Sequence, residues 1–215
     1  MKILVTAGPT HEAIDPVRFI GNNSSGKMGI AIAEEFAEKG HNVVLVKGPT
    51  HLTSNHPLVK EIKVESAQEM YEAAKQYFQQ SDVVVFAAAV ADYKPKHAAN
   101  TKIKKKEESY TLELVKTVDI ASELGKTKKQ QQMCVGFALE TDNEMSNATE
   151  KLGKKNLDFI VLNSMKDEGA GFGYDTNKIT IIDKDENVTK FDLKPKRDVA
   201  RDIVDYVFNL QAKKV

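Results

Sequence analysis

Apolar positions along this chain alternate between two periods. Residues 2–7 (KILVTA) form a short apolar run, and Gly8-Pro9 follows as a turn. After an irregular stretch to Ser25, residues 26–39 place Met28, Ile32 and Phe36 four apart. That spacing predicts a helix with one buried stripe and Gly40 as its stop. Residues 42–47 read as a strand, Gly48-Pro49 as a turn and 61–65 as a further strand. Ser66 and Glu69 have capping-box spacing and open a helix that runs to Phe78. Residues 82–90 contain the run VVVFAAAV, expected of a central parallel strand covered on both faces. The first half therefore reads β-α-β-β-α-β, a pattern satisfied by right-handed crossovers in a doubly wound sheet.

The second half is less regular. Residues 109–116 alternate like a strand, 133–139 form another buried strand, a helix extends to residue 154, and 157–162 form a strand. Residues 177–183 and 188–193 predict a hairpin around Asp185-Glu186-Asn187. A last helix over 197–210 turns Val199, Ile203, Val207 and Leu210 inward. No repeat, low-complexity segment or linker interrupts the pattern, so residues 1–215 read as a single domain.

Composition narrows the function classes. The 31 basic and 31 acidic residues cancel, so no net field draws the chain to nucleic acid or to an anionic membrane. A hydrophobic share of 41 % separates it from disordered chains. One cysteine, Cys134, excludes an intramolecular disulfide framework and reads as inert packing inside a strand. No apolar run suits a signal-peptide core or a membrane span, so a cytoplasmic protein is expected, with no glycan at Asn22 or Asn147. The histidines show no metal-ligand spacing, and neither a Ser-His-Asp nor a Cys-His pair can be assigned.

Candidate chemistry concentrates at GNNSSGKMG, residues 21–29. Its first seven residues fit G-x-x-x-x-G-K, but Met28 stands where a Walker loop needs a hydroxyl for magnesium. Pro16, just upstream, argues against the strand such a loop must leave. Two readings remain: an anion-receptive helix start with free amides, or Ser25 as a plain helix cap. A nicotinamide-dependent Rossmann oxidoreductase is the rival. Its G-x-G-x-x-G fingerprint is missing after the first strand, where the chain reads Ala7-Gly8-Pro9-Thr10-His11-Glu12. Lys47 replaces the ribose-binding acid at the end of the second strand, a position where lysine favours a phosphorylated ribose.

Two basic clusters stand out. The run 101–106 reads either as a solvated face or as a phosphate clamp over a cleft. Glu107, Glu108 and the lack of interleaved aromatics make it a poor nucleic-acid surface. Lys151, Lys154 and Lys155 share a helix face, an arrangement tolerable in solvent or opposite an anion.

Seven stretches taken in order are TAGPT (6–10), IDPVRFIGNNSSGKMG (14–29), AAAVADY (87–93), KIKK (102–105), VGFALET (135–141), KKNLDFIVLN (154–163) and FGYDTN (172–177). Together they resemble phosphopantothenoylcysteine synthetase, the phosphopantothenate–cysteine ligase of coenzyme A biosynthesis. The resemblance covers most of the chain, and DPVRFIxNxSSGKMG with AAAVADY is its most specific part. It implies an α/β fold: a Rossmann-like, doubly wound, mostly parallel sheet with a smaller β-rich dimerisation and hairpin part, acting as a homodimer. The chain begins directly at the ligase's first strand, like the stand-alone bacterial form, which is expected to hold no flavin.

The implied reaction has two halves. The carboxylate of 4′-phosphopantothenate attacks the α-phosphate of CTP, giving an acyl-cytidylate and pyrophosphate. The amine of L-cysteine then attacks the acyl carbon and releases CMP. Such steps need charge neutralisation and positioning more than a protein nucleophile. Mg2+ is expected to accompany the triphosphate, with no protein ligand assigned.

The resemblance also implies roles for single residues. Asn22 matches the asparagine that stabilises the acyl-cytidylate, and Arg18 the arginine that reaches the phosphopantothenate site of a neighbouring subunit. Ala88 and Ala89 match residues lining that site. Gly8, Ser24, Gly26 and Gly29 match nucleotide-phosphate contacts, Asp92 the acid near the ribose, and Lys102 the lysine of the basic loop. Asn22, Arg18 and Lys102 are thus the expected catalytic set. Phe137, Lys151 and Lys155 match further nucleotide contacts. Val118, Asp119, Ile120 and Ala121 fall in the segment that reads cytosine through its backbone. Thr117-Val118 replaces the family's usual Asn-Pro there, which leaves the choice between CTP and ATP open.

Overall fold

Continuous apolar runs become central strands, and the segments between them become helices on both faces of one sheet. The structure, a computed structural model, describes residues 1–105, 108–167 and 169–213; Lys106, the last residue of the basic run, lies outside them. In chain order the elements are β1 (Lys2–Ala7), the hairpin β2 (His11–Ala13) and β3 (Phe19–Gly21), α1 (Lys27–Glu38), β4 (Asn42–Lys47), β5 (Val59–Lys63), α2 (Ala67–Phe78) and β6 (Val83–Phe86). Next come β7 (Tyr93–Pro95), β8 (Leu114–Lys116), α3 (Ile120–Gly125), β9 (Met133–Glu140), α4 (Glu144–Lys154) and β10 (Phe159–Ser164). The last are β11 (Thr176–Asn177), β12 (Thr180–Asp183), β13 (Val188–Lys190), β14 (Lys194–Pro195) and α5 (Lys196–Ala212).

The main sheet has the order β13-β12-β10-β9-β6-β1-β4-β5. Its six strands from β10 to β5 are mutually parallel, and β12 and β13 extend it as an antiparallel edge. From β1 the chain winds outward through β4 and β5, then returns to β6 on the other side of β1. The gap between β1 and β6 is therefore the topological switch point, where open α/β sheets take ligands at their carboxyl ends.

Period-2 alternation divides the apolar side chains between two helical layers. Ile3, Val5, Val83 and Val85 pack with Ile32 and Phe36 of α1 and Val199 and Ile203 of α5. Leu4, Val84 and Cys134 face the other layer, meeting Met70 and Phe78 of α2, Leu124 of α3 and Leu152 of α4. Burial on both faces is why these strands read as unbroken apolar runs.

Several boundaries depart from the sequence reading. The strand expected over 82–90 stops at Phe86, and residues 87–90 leave the ladder, with one isolated parallel bridge joining Ala89 to Pro9. The strand expected at 109–116 shrinks to β8, whose three-residue partner β7 ends at Pro95, which lacks an N–H for the ladder. β5 begins and ends two residues before expectation, its register fixed by Val59 pairing with Val43. β10 starts two residues late because Asn156 (φ 52°) and Leu157, whose N–H bonds to Leu152 O, are spent closing α4. α3 was not foreseen; Asp119 caps it, accepting from Ser122 N at 3.1 Å.

One structural expectation is corrected. Ser25 does not cap α1; the cap position is Gly26, in a left-handed conformation (φ 76°) without a side-chain bond. The hairpin expected over 177–183 and 188–193 forms as β12 and β13, which extend the edge of the main sheet. The small sheets are β2–β3, β7–β8 and β11–β14. No described helix is long and apolar enough to cross a membrane.

Candidate functional site

A cavity of about 790 Å3 opens at the carboxyl ends of β1, β6 and β9, over the switch point. Thr6, Phe86 and Gly136 line its base.

Glycines let the backbone come close there. Gly8 (φ 81°) lies directly after β1, and a Cβ on Gly26 would come within 3.1 Å of Gly8 Cα. A Cβ on Gly29 would meet Ala7 Cβ at 2.6 Å, so α1 rests against β1 only because position 29 has no side chain. A dinucleotide fingerprint uses three glycines for a tight turn, close approach to a phosphate and close packing of helix on strand, and the turn and the packing are present here. Here residues 9–25, carrying the hairpin β2–β3, are inserted between the first and the other two. The first turn of α1, with its free amides, lines the cavity through Lys27, Met28 and Gly29.

The inserted segment folds back over the cavity. Asn22 Nδ2 donates at 3.1 Å to both Ala89 O and Val90 O. The same loop after β6 is held to β1 by Ala89 N donating to Gly8 O (2.9 Å), and to the insertion by Ala91 N donating to Thr10 Oγ1 (3.0 Å). Ala88, Ala89 and Asp92 therefore stand on the cavity wall beside Asn22 and Ser24. The small side chains that read as strand interior instead leave room in this wall.

The opposite wall is built from α3, α4 and the end of β9. Val118, Asp119, Ile120 and Ala121 line it, as does half-buried Phe137. Lys155 Nζ pairs with Asp119 at 3.0 Å, and Lys151 Nζ with Glu140 Oε1 at 2.5 Å. Both ammonium groups are thus neutralised within the chain while facing the cavity. Lys154 points away and pairs with Glu150.

Three sequence-predicted residues do not line the cavity. Gly8 lies behind Gly26 and supports it. Arg18 is bound in the insertion: its guanidinium pairs with Asp15 and donates to Ile103 O at 3.1 Å. Ile103 N in turn donates to Asp15 Oδ2 at 3.0 Å. The Arg18 guanidinium holds the Asp15 carboxyl well below the usual carboxylate range, with backbone donors from Ile103, Val17 and Arg18 adding to it against the cost of burial. This clamp fixes the start of the basic loop and leaves Lys102 exposed beside it, so Arg18 and Lys102 are neighbours outside the cavity.

The cavity also holds side chains to which the sequence assigns no role: Lys27, Asn163, Asn177 and Lys196. Asn177 is buried and donates to Asn163 Oδ1 at 3.1 Å. Lys196 opens α5, one residue before the helix was expected to start. Its signal was the Pro195-Lys196 pair at a helix start, where Pro marks the boundary.

Lys47 does not serve a phosphorylated ribose. It is 2 % exposed, donates to Leu52 O at 2.5 Å and pairs with Glu61 Oε2 at 3.0 Å. A Cβ on the adjoining Gly48 would fall 1.7 Å from Pro9 O, so the turns after β1 and β4 pack backbone to backbone.

Known proteins share these features. A family described as the DNA/pantothenate metabolism flavoprotein C-terminal domain matches residues 1–210. A cysteine/cysteine sulfinic acid decarboxylase from an unknown prokaryotic organism is 52 % identical over 209 residues, covering 97 % of this chain and 58 % of its own length. The coenzyme A biosynthesis bifunctional protein CoaBC of Bacillus subtilis (strain 168) is 48 % identical over 202 residues, covering 94 % of this chain and 50 % of its own. The chain thus spans 58 % of the first relative's length and 50 % of the second's. The crystal structure of the C-terminal domain of a bifunctional CoaBC superposes with a TM-score of 0.83 at 43 % identity, covering 99 % of this chain and 96 % of that one. By sequence and by fold, the chain belongs to the family of DNA/pantothenate metabolism flavoprotein C-terminal domains.

Proposed function

We propose that the chain is a phosphopantothenate–cysteine ligase, using CTP to activate 4′-phosphopantothenate as an acyl-cytidylate and L-cysteine to accept the acyl group. The observation that carries this reading is the meeting, in one cavity at the switch point, of a glycine-floored helix start, two lysines and Asn22. The coenzyme A role named for the Bacillus subtilis relative supports it. The match over residues 1–210 supports treating the chain as one ligase domain.

On this reading the nucleotide lies across the cavity. The backbone of 118–121 faces the base, Asp92 the ribose, and Ser24, Gly26 and Gly29 the phosphates. Lys151 and Lys155 exchange their carboxylate partners for the nucleotide and neutralise charge as it builds on the α-phosphate. Asn22 stands between the phosphate floor and the Ala88–Ala89 wall, the place where a carboxylate and an α-phosphate must meet. The first half-reaction breaks the bond between the α-phosphorus and the bridging oxygen and frees pyrophosphate. In the second, the cysteine amine displaces CMP from the acyl carbon.

Magnesium fits as a passenger of the triphosphate. Among the described residues no three His, Cys, Asp or Glu side chains converge, while Asp92 and Asp119 stand singly in the cavity. When bound, the ion supplies charge neutralisation at the phosphates.

Arg18 and Lys102 serve a second subunit on this reading. Val17 and Phe19 on the first hairpin, and Tyr93 and Leu114 on β7–β8, are exposed on adjoining small sheets, apolar area suited to a homodimer. A cytoplasmic location accords with the substrates.

The test is direct. The protein is incubated with phosphopantothenate, cysteine, magnesium and either CTP or ATP. CMP and pyrophosphate are expected with CTP; no CMP overturns the reading. Cysteine sulfinic acid should yield no decarboxylation product, and the purified protein should show no flavin absorbance. NADPH should raise the melting temperature less than CTP does.

A further inference from the structure

Lys27 and Lys196 form a second pair of cations in the cavity, on the wall away from Lys151 and Lys155. They come from the first turns of α1 and α5, and both line the cavity. Lys196 is 8 % exposed, and among the described residues no carboxylate lies within salt-bridge distance of it. Its ammonium has three donors, and the hydrogen bond present is to Gly171 O at 3.0 Å. Burial, and then the nearby Lys27 charge, push that ammonium below the ordinary lysine range, against a weaker pull from Asp175. A desolvated cation next to a second cation, facing an open cavity, is costly without an anion to receive.

The present partners of both lysines belong to one short segment. Asp175, itself mostly exposed, pairs with Lys27, and Gly171 supplies the carbonyl for Lys196. Gly169, Gly171 and Gly173 all have positive φ (78°, 90° and 84°), conformations open to glycine at no steric cost. The segment is therefore built to hold an unusual path against the two lysines. Its contacts with the two ammonium groups are an exposed ion pair and one carbonyl. Its backbone is tied down by Lys196 N donating to Asp175 O at 2.9 Å and Thr176 Oγ1 donating to Gly169 O at 2.6 Å.

We propose that Lys27 and Lys196 are the receiving site for the terminal phosphoryl groups of the nucleotide, and that Asp175 and Gly171 occupy these ammonium groups until a polyphosphate displaces them. The site rests on the nucleotide reading above. With the base at residues 118–121, a nucleoside triphosphate directed toward α1 has these two lysines, both in the cavity lining, as the cations available to its far end. A polyphosphate supplies more and stronger acceptors than one carboxylate and one carbonyl, and the α1 amides lie beside it. The leaving pyrophosphate is then held by different residues from those that hold the CMP half.

The experiment is calorimetric titration of three probes, inorganic pyrophosphate, CMP and CTP, in magnesium buffer. The proteins compared are wild type, Lys196→Met, Lys27→Gln and Asp175→Asn. Lys27 is half-exposed, so its variant keeps the test valid should the buried Lys196→Met fail to fold. Each lysine variant should lose about tenfold in affinity for pyrophosphate and CTP while CMP binding is unchanged. Asp175→Asn, which removes the competing carboxylate, should bind pyrophosphate several-fold more tightly. Lysine variants that bind pyrophosphate like wild type, or an Asp175→Asn protein that binds it no better, overturn the proposal. If the lysine variants lose pyrophosphate but the wild type never binds CMP, the anion site stands and the nucleotide reading falls.

Discussion

The side-chain amide of Asn22 donates to the carbonyl of Ala89 at 3.1 Å and so ties the inserted hairpin to the loop after β6. The same nitrogen also donates to Val90 O at 3.1 Å, so the amide is committed to two carbonyls. To meet an oxyanion, the amide must release one of these carbonyls. Asn22→Ala should still release pyrophosphate in a single turnover, while CMP release on adding cysteine falls by about 100-fold. Asn22→Asp sets a carboxylate against two carbonyl oxygens. Hydrogen exchange at Ala89 and Ala91 should then quicken; wild-type turnover in both variants removes Asn22 from the mechanism.

Lys155 can be removed with little harm to the fold. Asp119, its partner, also accepts from Ser122 N and continues to cap α3 without it. Lys155→Gln should weaken CTP binding by about tenfold with an unchanged circular dichroism spectrum. A matching loss of helix would mean that the residue is structural.

Gly29→Ala tests the floor. The new methyl would sit 2.6 Å from Ala7 Cβ and 3.2 Å from Thr6 O, both in the rigid core. Overpacking of this kind costs about 1–3 kcal/mol. The melting temperature should drop, and CTP affinity should fall further than stability alone explains, because α1 moves away from β1.

Asp15→Asn tests the clamp under the basic loop. The folded Asp15 carboxyl titrates below its ordinary range. Its stabilising effect is therefore complete above the unfolded pKa of about 4 and is lost as pH falls toward the folded value. Acid titration of the melting temperature should show a smaller decline in Asp15→Asn than in the wild type, from a lower neutral starting point. Exchange at Ile103 N, which bonds to Asp15 Oδ2, should quicken in the variant.

The sheet was legible because its strands are covered on both faces, so burial and sequence pattern coincide at Lys2–Ala7, Asn42–Lys47 and Met133–Glu140. The Ser66–Glu69 capping box was legible because its chemistry is local. The failures lie at the carboxyl edge of the sheet. Ala87 to Val90 look like strand because small apolar residues suit a buried strand and a cavity wall alike. Lys151 and Lys155 were readable as a basic face, but their partners Glu140 and Asp119 are remote in sequence. Lys196 gave only a helix-start signal, since its burial follows from the path of residues 169–175. Motif resemblance located most of the cavity's lining and assigned Arg18 to a neighbouring subunit's site, without indicating that Lys102 and Gly8 stand outside the cavity.

The insertion of residues 9–25 between the first glycine and the other two separates two jobs that a contiguous fingerprint performs together. On the proposed reading, the glycines make a floor on which a nucleotide's phosphates rest. The hairpin makes a ceiling that carries Asn22 over the floor and Asp15 and Arg18 toward the basic loop. The ceiling meets its surroundings through a few polar side chains, Ser24 at the floor and Asn22 and Thr10 at the wall, and its other side chains can change without disturbing these joints. A chain with the hairpin replaced by a short turn should keep an affinity for nucleotides and have no reaction to perform on them.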